Sequence, residues 1–121
     1  MQWLLIGLGA GVGAVLRAIL SRFNGLHPWL PIGTLLANVL GGLLMGVALV
    51  YVERLSPTWR GLITTGFLGG LTTFSTFSAE VFGLFGRGQW GQGAMLVVLH
   101  VVLTLCATAV GFFVVRYLTS W

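Results

Sequence analysis

The sequence contains no lysine and no aspartate, and its ionisable side chains are few: six arginines, two glutamates and two histidines. Charged residues make up 7% of the 121 positions, against about 25% in soluble domains. A surface wetted on all sides cannot be built from so little charge, so a soluble globular protein is excluded. The single cysteine, Cys106, lies between Leu105 and Ala107 in an apolar run. It can form no internal disulfide and offers no paired-thiol metal site. The arginines are scattered, which excludes the basic patch that nucleic-acid binding requires.

What fills the chain instead is apolar material, 57% of all residues. Four apolar segments, residues 3–22, 30–52, 61–86 and 94–117, each approach the ~20 residues a helix needs to cross the hydrocarbon core. The expected fold is therefore an all-α integral membrane domain of four transmembrane helices, with lipid as its surroundings. Met1-Gln2-Trp3 supplies no basic n-region and Arg17 falls where a cleavage site should follow, so the first segment reads as a membrane helix rather than a signal peptide.

Four spans put both termini and the second loop on one side. Arg54, Arg60 and Arg116 fall there, and Arg22 and Arg87 fall on the other, with Arg17 just inside the first helix on that same side. So even a balance gives the positive-inside rule little to act on. The expectation is dual topology: insertion in both orientations and antiparallel pairing of two copies.

Along the chain, the first segment carries two overlapping small-xxx-small spacings, Gly7/Gly11 and Gly9/Gly13, which let helix backbones approach closely in lipid. Arg17, about 21 Å beyond Trp3 at 1.5 Å per residue, either snorkels to headgroups or draws anions to a pore mouth. His27-Pro28-Trp29-Leu30-Pro31 reads as a non-helical connector, with His27 solvated. In the second segment Asn38, Gly42 and Gly46 share one face. Asn38 is either interhelical glue or an amide donor for an anion, with room left by the two glycines. In the fourth segment His100 and Thr104 lie one turn apart. The histidine is either a hydrogen-bonded packing residue or an accessory to the path.

The third segment is the unusual one. Gly66, Gly69 and Gly70, followed by Thr72 and Thr73, weaken helix at its centre, and hydroxyls can satisfy backbone groups freed by a break. A helix broken over Gly69–Thr72 is expected. Beyond it, Phe74 and Phe77 share a face if the helix resumes, flanked by Ser75 and Thr76. Ring edges are positive, and with hydroxyls they would make a weak anion track from which an ion can leave again. Carbonyls freed at the break could instead hold a small cation. Glu80, the acid within this segment, is a functional candidate by position, or else solvated or paired with Arg87.

Three stretches carry a family resemblance: Gly13-Ala14-Val15-Leu16-Arg17; Gly33-Thr34-Leu35-Leu36-Ala37-Asn38-Val39-Leu40-Gly41; and Gly66-Phe67-Leu68-Gly69-Gly70-Leu71-Thr72-Thr73-Phe74-Ser75-Thr76-Phe77-Ser78-Ala79-Glu80. With them the chain resembles the CrcB/Fluc fluoride channels. The resemblance implies a channel rather than an enzyme: an antiparallel homodimer in the cell inner membrane that exports fluoride passively. It implies Asn38, Phe74, Ser75, Thr76 and Phe77 on the anion pathway, and backbone carbonyls of Gly69 and Thr72 holding a structural sodium ion (Na+) between the two copies. The fourth segment departs from the family pattern. The tyrosine that reaches the pore from there is replaced, in an ungapped reading, by Leu96, with His100 one turn on.

Two rival readings use the same residues. A small dual-topology, proton-coupled cation or drug exporter also has four short helices, but needs an embedded carboxylate, for which Glu80 is the one substitute. An assembly subunit without transport would use the hydroxyls as helix glue. The charge balance itself is testable. Moving two arginines to one side is expected to change loop accessibility in membranes from two-sided to one-sided. An unaltered chain already found in a single orientation would refute dual insertion.

Overall fold

The computed structural model describes residues 1–120. Helix α1 (Gln2–Leu20) tightens into a 3-10 turn, Ser21–Leu26, and is followed by α2 (Ile32–Tyr51). Then come α3 (Pro57–Arg60), a π-helix over Gly61–Leu68, α4 (Gly69–Leu71), α5 (Ser75–Gly86) and α6 (Trp90–Thr119). Among the described residues no strand occurs, and Gln2–Leu26, Ile32–Arg54 and Trp90–Thr119 are long and apolar enough to cross a membrane. Helix α6 extends beyond the 94–117 stretch at both ends. His27, expected to be merely solvated, closes its turn: Nδ1 accepts from the Trp29 and Leu30 amides at 3.3 and 3.0 Å.

The chain between α2 and α6 follows a different plan. Ser56 Oγ caps α3 by accepting from Trp59 N–H at 3.3 Å, with Pro57 at the first helical position, where its missing N–H costs nothing. Helical backbone then continues without a gap to Leu71. Thr72 is extended (φ −88°, ψ 156°), and α5 begins at Ser75. The interruption therefore falls at 72–74, whereas the glycine pattern placed it at Gly69–Thr72.

The correction has a steric reason: the glycines serve close approach rather than breakage. A Cβ added to Gly70 would collide with the Ala10 backbone, and one on Gly13 with the backbones of Phe67 and Leu71. Gly9 and Gly66 are almost as tight, a Cβ on either standing 2.7 Å from a carbonyl oxygen, of Leu62 and Ile6 respectively. Small residues on both partners thus seat α1 directly on the 61–71 backbone. Of the two glycine spacings in α1, Gly9/Gly13 forms this interface; a Cβ added at Gly7 or Gly11 meets nothing within 4 Å among the described residues.

Helices α2 and α6 meet in the same manner. Gly46 lies against the Thr108 backbone, and a Cβ on Gly42 would stand 2.9 Å from both the Thr104 methyl and its carbonyl oxygen. Thr108 Oγ1 donates to Gly42 O at 2.9 Å. The glycines read as leaving room beside Asn38 are therefore occupied by α6. Two apolar clusters flank the interruption, one of Ala37, Ala48, Leu68 and Leu71, the other of Phe77, Val81, Leu84 and Leu96. Gly88, at φ 76°, makes the left-handed turn from α5 into α6.

These approaches leave no slack. Gly13→Ala is expected to cost about 1–3 kcal/mol through overpacking, read as a lower unfolding temperature in detergent. Gly86→Ala, where an added Cβ meets nothing within 4 Å, leaves that temperature unchanged. Equal behaviour of the two variants would refute the close-packing account.

Candidate functional site

Asn38 on α2 stands opposite the interruption and pairs with it twice. Its Oδ1 accepts from Thr73 N–H at 2.8 Å, and its Nδ2 donates to Thr73 O at 3.0 Å. The side-chain amide thus stands in for a peptide partner and holds Thr73 out of the helix. Its second N–H faces His100 Nδ1 at 3.2 Å. Both donors of Asn38, one of the two options read from sequence, are engaged within the chain.

The diverted hydrogen bonds reorganise the carbonyls nearby. In an unbroken helix Thr73 N–H would bond Gly69 O and Thr76 N–H would bond Thr72 O. Here Thr73 N–H goes to Asn38, and Thr76 N–H goes to Thr73 Oγ1 at 3.2 Å. The Gly69 and Thr72 carbonyls both lose their regular helical donors. They are hard oxygens of the kind alkali cations bind at unwound helices. Among the described residues no group of three His, Cys, Asp or Glu could hold a metal ion.

Past the interruption, Phe74 and Phe77 stack with centroids 5.5 Å apart and planes 26° from parallel. Each covers one face of the other, and the positive edges lie at the periphery. They differ sharply in environment: Phe77 is 7% exposed and Phe74 82%. Phe77 also meets the His100 ring edge-on, 4.4 Å between centroids. Ser75 is exposed, its hydroxyl 3.5 Å from that of Thr73, and Thr76 is half-buried. The N-terminus of α5, with its partial positive charge, opens beside these residues.

A cavity of about 500 Å³ joins the parts. Asn38, Gly69, Thr72, Phe74, Phe77 and His100 line it together with Thr64, Thr104 and Thr108. Among the described residues no charged side chain is part of its walls. Such a lining is mostly apolar with a few placed hydroxyls and one amide.

Three sequence candidates lie elsewhere. Arg17 is turned inward, its Nε donating to Gly70 O at 3.0 Å, so it supports the end of α4 where the helix dipole is negative. Neither snorkelling nor a free pore-mouth cation describes that contact. Glu80 Oε2 accepts from Thr34 Oγ1 at 2.9 Å, while Thr34 in turn bonds Asn24 through its hydroxyl and its amide. Among the described residues Oε1 is buried without a partner, and Arg87, the expected ion-pair mate, bonds Gln89 instead. Leu96 is fully buried in the apolar cluster around Phe77 and Val81; the polar group α6 brings to the cavity nearest Phe77 is His100.

Sequence reasoning named Thr73 only as one hydroxyl among several, whereas its backbone and side chain anchor both sides of the interruption. It missed altogether Thr34 as the partner of Glu80 and Asn24 as the partner of Thr34. No local pattern marks either, because Thr34 and Glu80 are separated by 46 positions. The Asn38 pairing can be tested directly. Asn38→Ala leaves Thr73 N–H and C=O without partners, at about 1–3 kcal/mol for each buried group. The expected readout is a lower unfolding temperature and faster hydrogen exchange at the Thr73 amide, and unchanged exchange would refute the anchoring role.

Comparison with known proteins places this architecture. The family model described as CrcB-like protein, Camphor Resistance (CrcB), matches residues 4–112. A fluoride-specific ion channel FluC of Psychrobacter cryohalolentis is 62% identical over 117 residues, covering 93% of this chain and 95% of its own. The protein of the same name from Tolumonas auensis is 53% identical over 114 residues, covering 89% and 88%. That of Escherichia coli O1:K1 is 50% identical over 115 residues, covering 92% and 91%. Together with its apolar helices, these matches make the chain an integral, multi-pass membrane protein that belongs to the CrcB family.

Proposed function

We propose that this chain is one protomer of a fluoride-selective channel that lets fluoride leave the cytoplasm passively across the cell inner membrane and so lowers its toxicity. The observation that carries the reading is the interruption at 72–74: a ring stack, hydroxyls and a helix N-terminus border a cavity that no charged side chain lines. A fixed cation would hold fluoride too tightly to conduct, and a carboxylate would repel it. Ring edges and hydroxyls attract it weakly enough for release. The fluoride-specific relatives supply the identity of the ion.

In this reading residues 57–86 form a fourth membrane crossing in two pieces, and two copies pair in antiparallel orientation. The argument for pairing is physical. Irregular backbone is not tolerated against lipid, yet Phe74 within the interruption is 82% exposed on a single protomer. A second copy would cover it. Asn38, Phe74, Ser75, Thr76 and Phe77 then border the anion path. The carbonyls of Gly69 and Thr72, released from their helical donors in each protomer, would share a sodium ion at the centre, whose positive charge would offset the crowded carbonyl dipoles.

The proton-coupled exporter remains the second reading because Glu80 keeps a buried, unpartnered oxygen. Glu80 does not line the cavity, however. Proton-dependent cation transport abolished by Glu80→Gln would favour it.

Reconstituted liposomes with a fluoride electrode decide between the readings, with chloride as comparison. Fluoride efflux is expected, with chloride efflux far lower. Phe74→Ile and Phe77→Ile are each expected to cut fluoride efflux about tenfold or more while the oligomer persists, as befits loss of a stabilising contact of ~1.4 kcal/mol. Wild-type efflux in both variants would refute the ring-edge track.

A further inference from the structure

The π-helix Gly61–Leu68 runs for 8 residues, although this form mostly occurs as a single widened turn inside an α-helix. Its hydrogen bonds fix where it ends. Gly69 N–H reaches back five positions to Thr64 O, shared with Gly66 O, whereas Thr72 N–H reaches back four, to Leu68 O at 3.0 Å. The backbone therefore changes period just before the interruption, and the rows of contacts it makes change with it.

Gly61 and Gly66, five apart, both face Ile6: a Cβ on Gly61 would stand 3.3 Å from the Ile6 side chain, and one on Gly66 2.7 Å from Ile6 O. Leu62 and Phe67, again five apart, lie against Gly9 and Gly13, which are four apart on α1. Thr64 and Gly69 line the large cavity, and Ile63 and Leu68 a smaller apolar hollow against α2. Beyond this stretch the step is four: Gly66 and Gly70 meet Ile6 and Ala10, and Leu68 and Thr72 share the large cavity. Five residues of α-helix overshoot a full turn by about 140°, so no α-helix could keep the five-residue rows on these neighbours. Thr65, between the rows, is exposed.

We infer that the third segment carries one residue more than its seat on α1 and α2 admits, and that the π-helix is a register device that absorbs this residue, Thr65, ahead of the interruption. In an α-helix an added residue turns everything after it by about 100°. Here that rotation would carry Gly70 away from Ala10 and Thr73 away from Asn38, and the ring pair with them. Widening takes up the extra residue within 61–68 instead, and the glycines facing α1 supply the close approach that holds the widened form. The inference stands on packing alone and goes beyond the channel reading, which assigns no role to Gly61–Leu68.

Two single-residue deletions in the full-length protein test it. Deleting Thr65 brings every five-residue row to four and leaves an ordinary α-helix on the same neighbours, so the unfolding temperature in detergent is expected to stay within about 4 °C of the unaltered protein's. Deleting Leu68 instead shortens the Gly66–Gly70 and Phe67–Leu71 steps to three, and a clearly lower unfolding temperature, or failure to accumulate, is expected. In liposomes the first deletion keeps fluoride efflux within about threefold and the second loses about tenfold or more. With 15N-glycine and carbonyl-13C threonine, the Gly69 amide is expected to show a through-hydrogen-bond coupling to a threonine carbonyl that persists in Thr65→Ser and vanishes in Thr64→Ser. The reverse pattern, destabilisation on deleting Thr65, equal tolerance of both deletions, or efflux lost in a stable Thr65 deletion would each overturn the proposal. If the unaltered protein carries no fluoride, the channel reading alone fails, and the unfolding temperatures and the coupling decide the register device.

Discussion

The paired hydrogen bonds between the Asn38 amide and the Thr73 peptide are the contact on which the rest of the site depends. Backbone that leaves a helix inside a membrane must find other partners at once, and a side-chain amide offers one donor and one acceptor in a single plane. Once Thr73 is held this way, its own hydroxyl is free to receive Thr76 N–H and start α5. Phe74 and Phe77 are then carried into register with each other and with His100. Two helix segments, two displaced carbonyls and a ring stack all follow from one asparagine.

Around that contact the helices meet through glycines at close backbone approach, beside two small apolar clusters. In lipid, helices gain nothing by hiding apolar surface from one another, so close backbone approach and hydrogen bonds do the joining. Gly13 and Gly70 bring α1 onto the third segment, and Gly46 and Gly111 bring α2 onto α6. Arg17 adds a charged donor to the Gly70 carbonyl just before the interruption. The result is a frame rigid enough to hold an irregular stretch of backbone between glycine-seated helices.

Exposure of the interruption on one side ties the fold to assembly. Phe77 is packed within the protomer while Phe74, its stacking partner, is left open. Half of the ring pair therefore belongs to the protomer core and half to its open surface. In the proposed antiparallel pair, that surface and the released carbonyls of Gly69 and Thr72 meet their counterparts. The same feature would then build both the path and the centre of the dimer.

Much of this was legible in the chain. Apolar length and scarce charge determined a helical membrane protein, because continuous apolar runs of about 20 residues satisfy their own backbone polarity in lipid as helices. The motif from Gly66 to Glu80 determined where irregularity would fall to within a few residues, and which rings and hydroxyls would border it. What the tertiary structure alone decided was which partner each group meets. Glycines expected to break the helix instead seat it against α1, since their role depends on a neighbour's backbone and not on local propensity. Asn38 and His100 show no partner in the chain's local pattern; α2, α5 and α6 bring them together. Only then did one amide prove to hold Thr73 and to meet an imidazole 62 positions away. Hydrogen bonds across such separations leave no periodicity in a sequence, so the interruption could be read from the chain but not what holds it open.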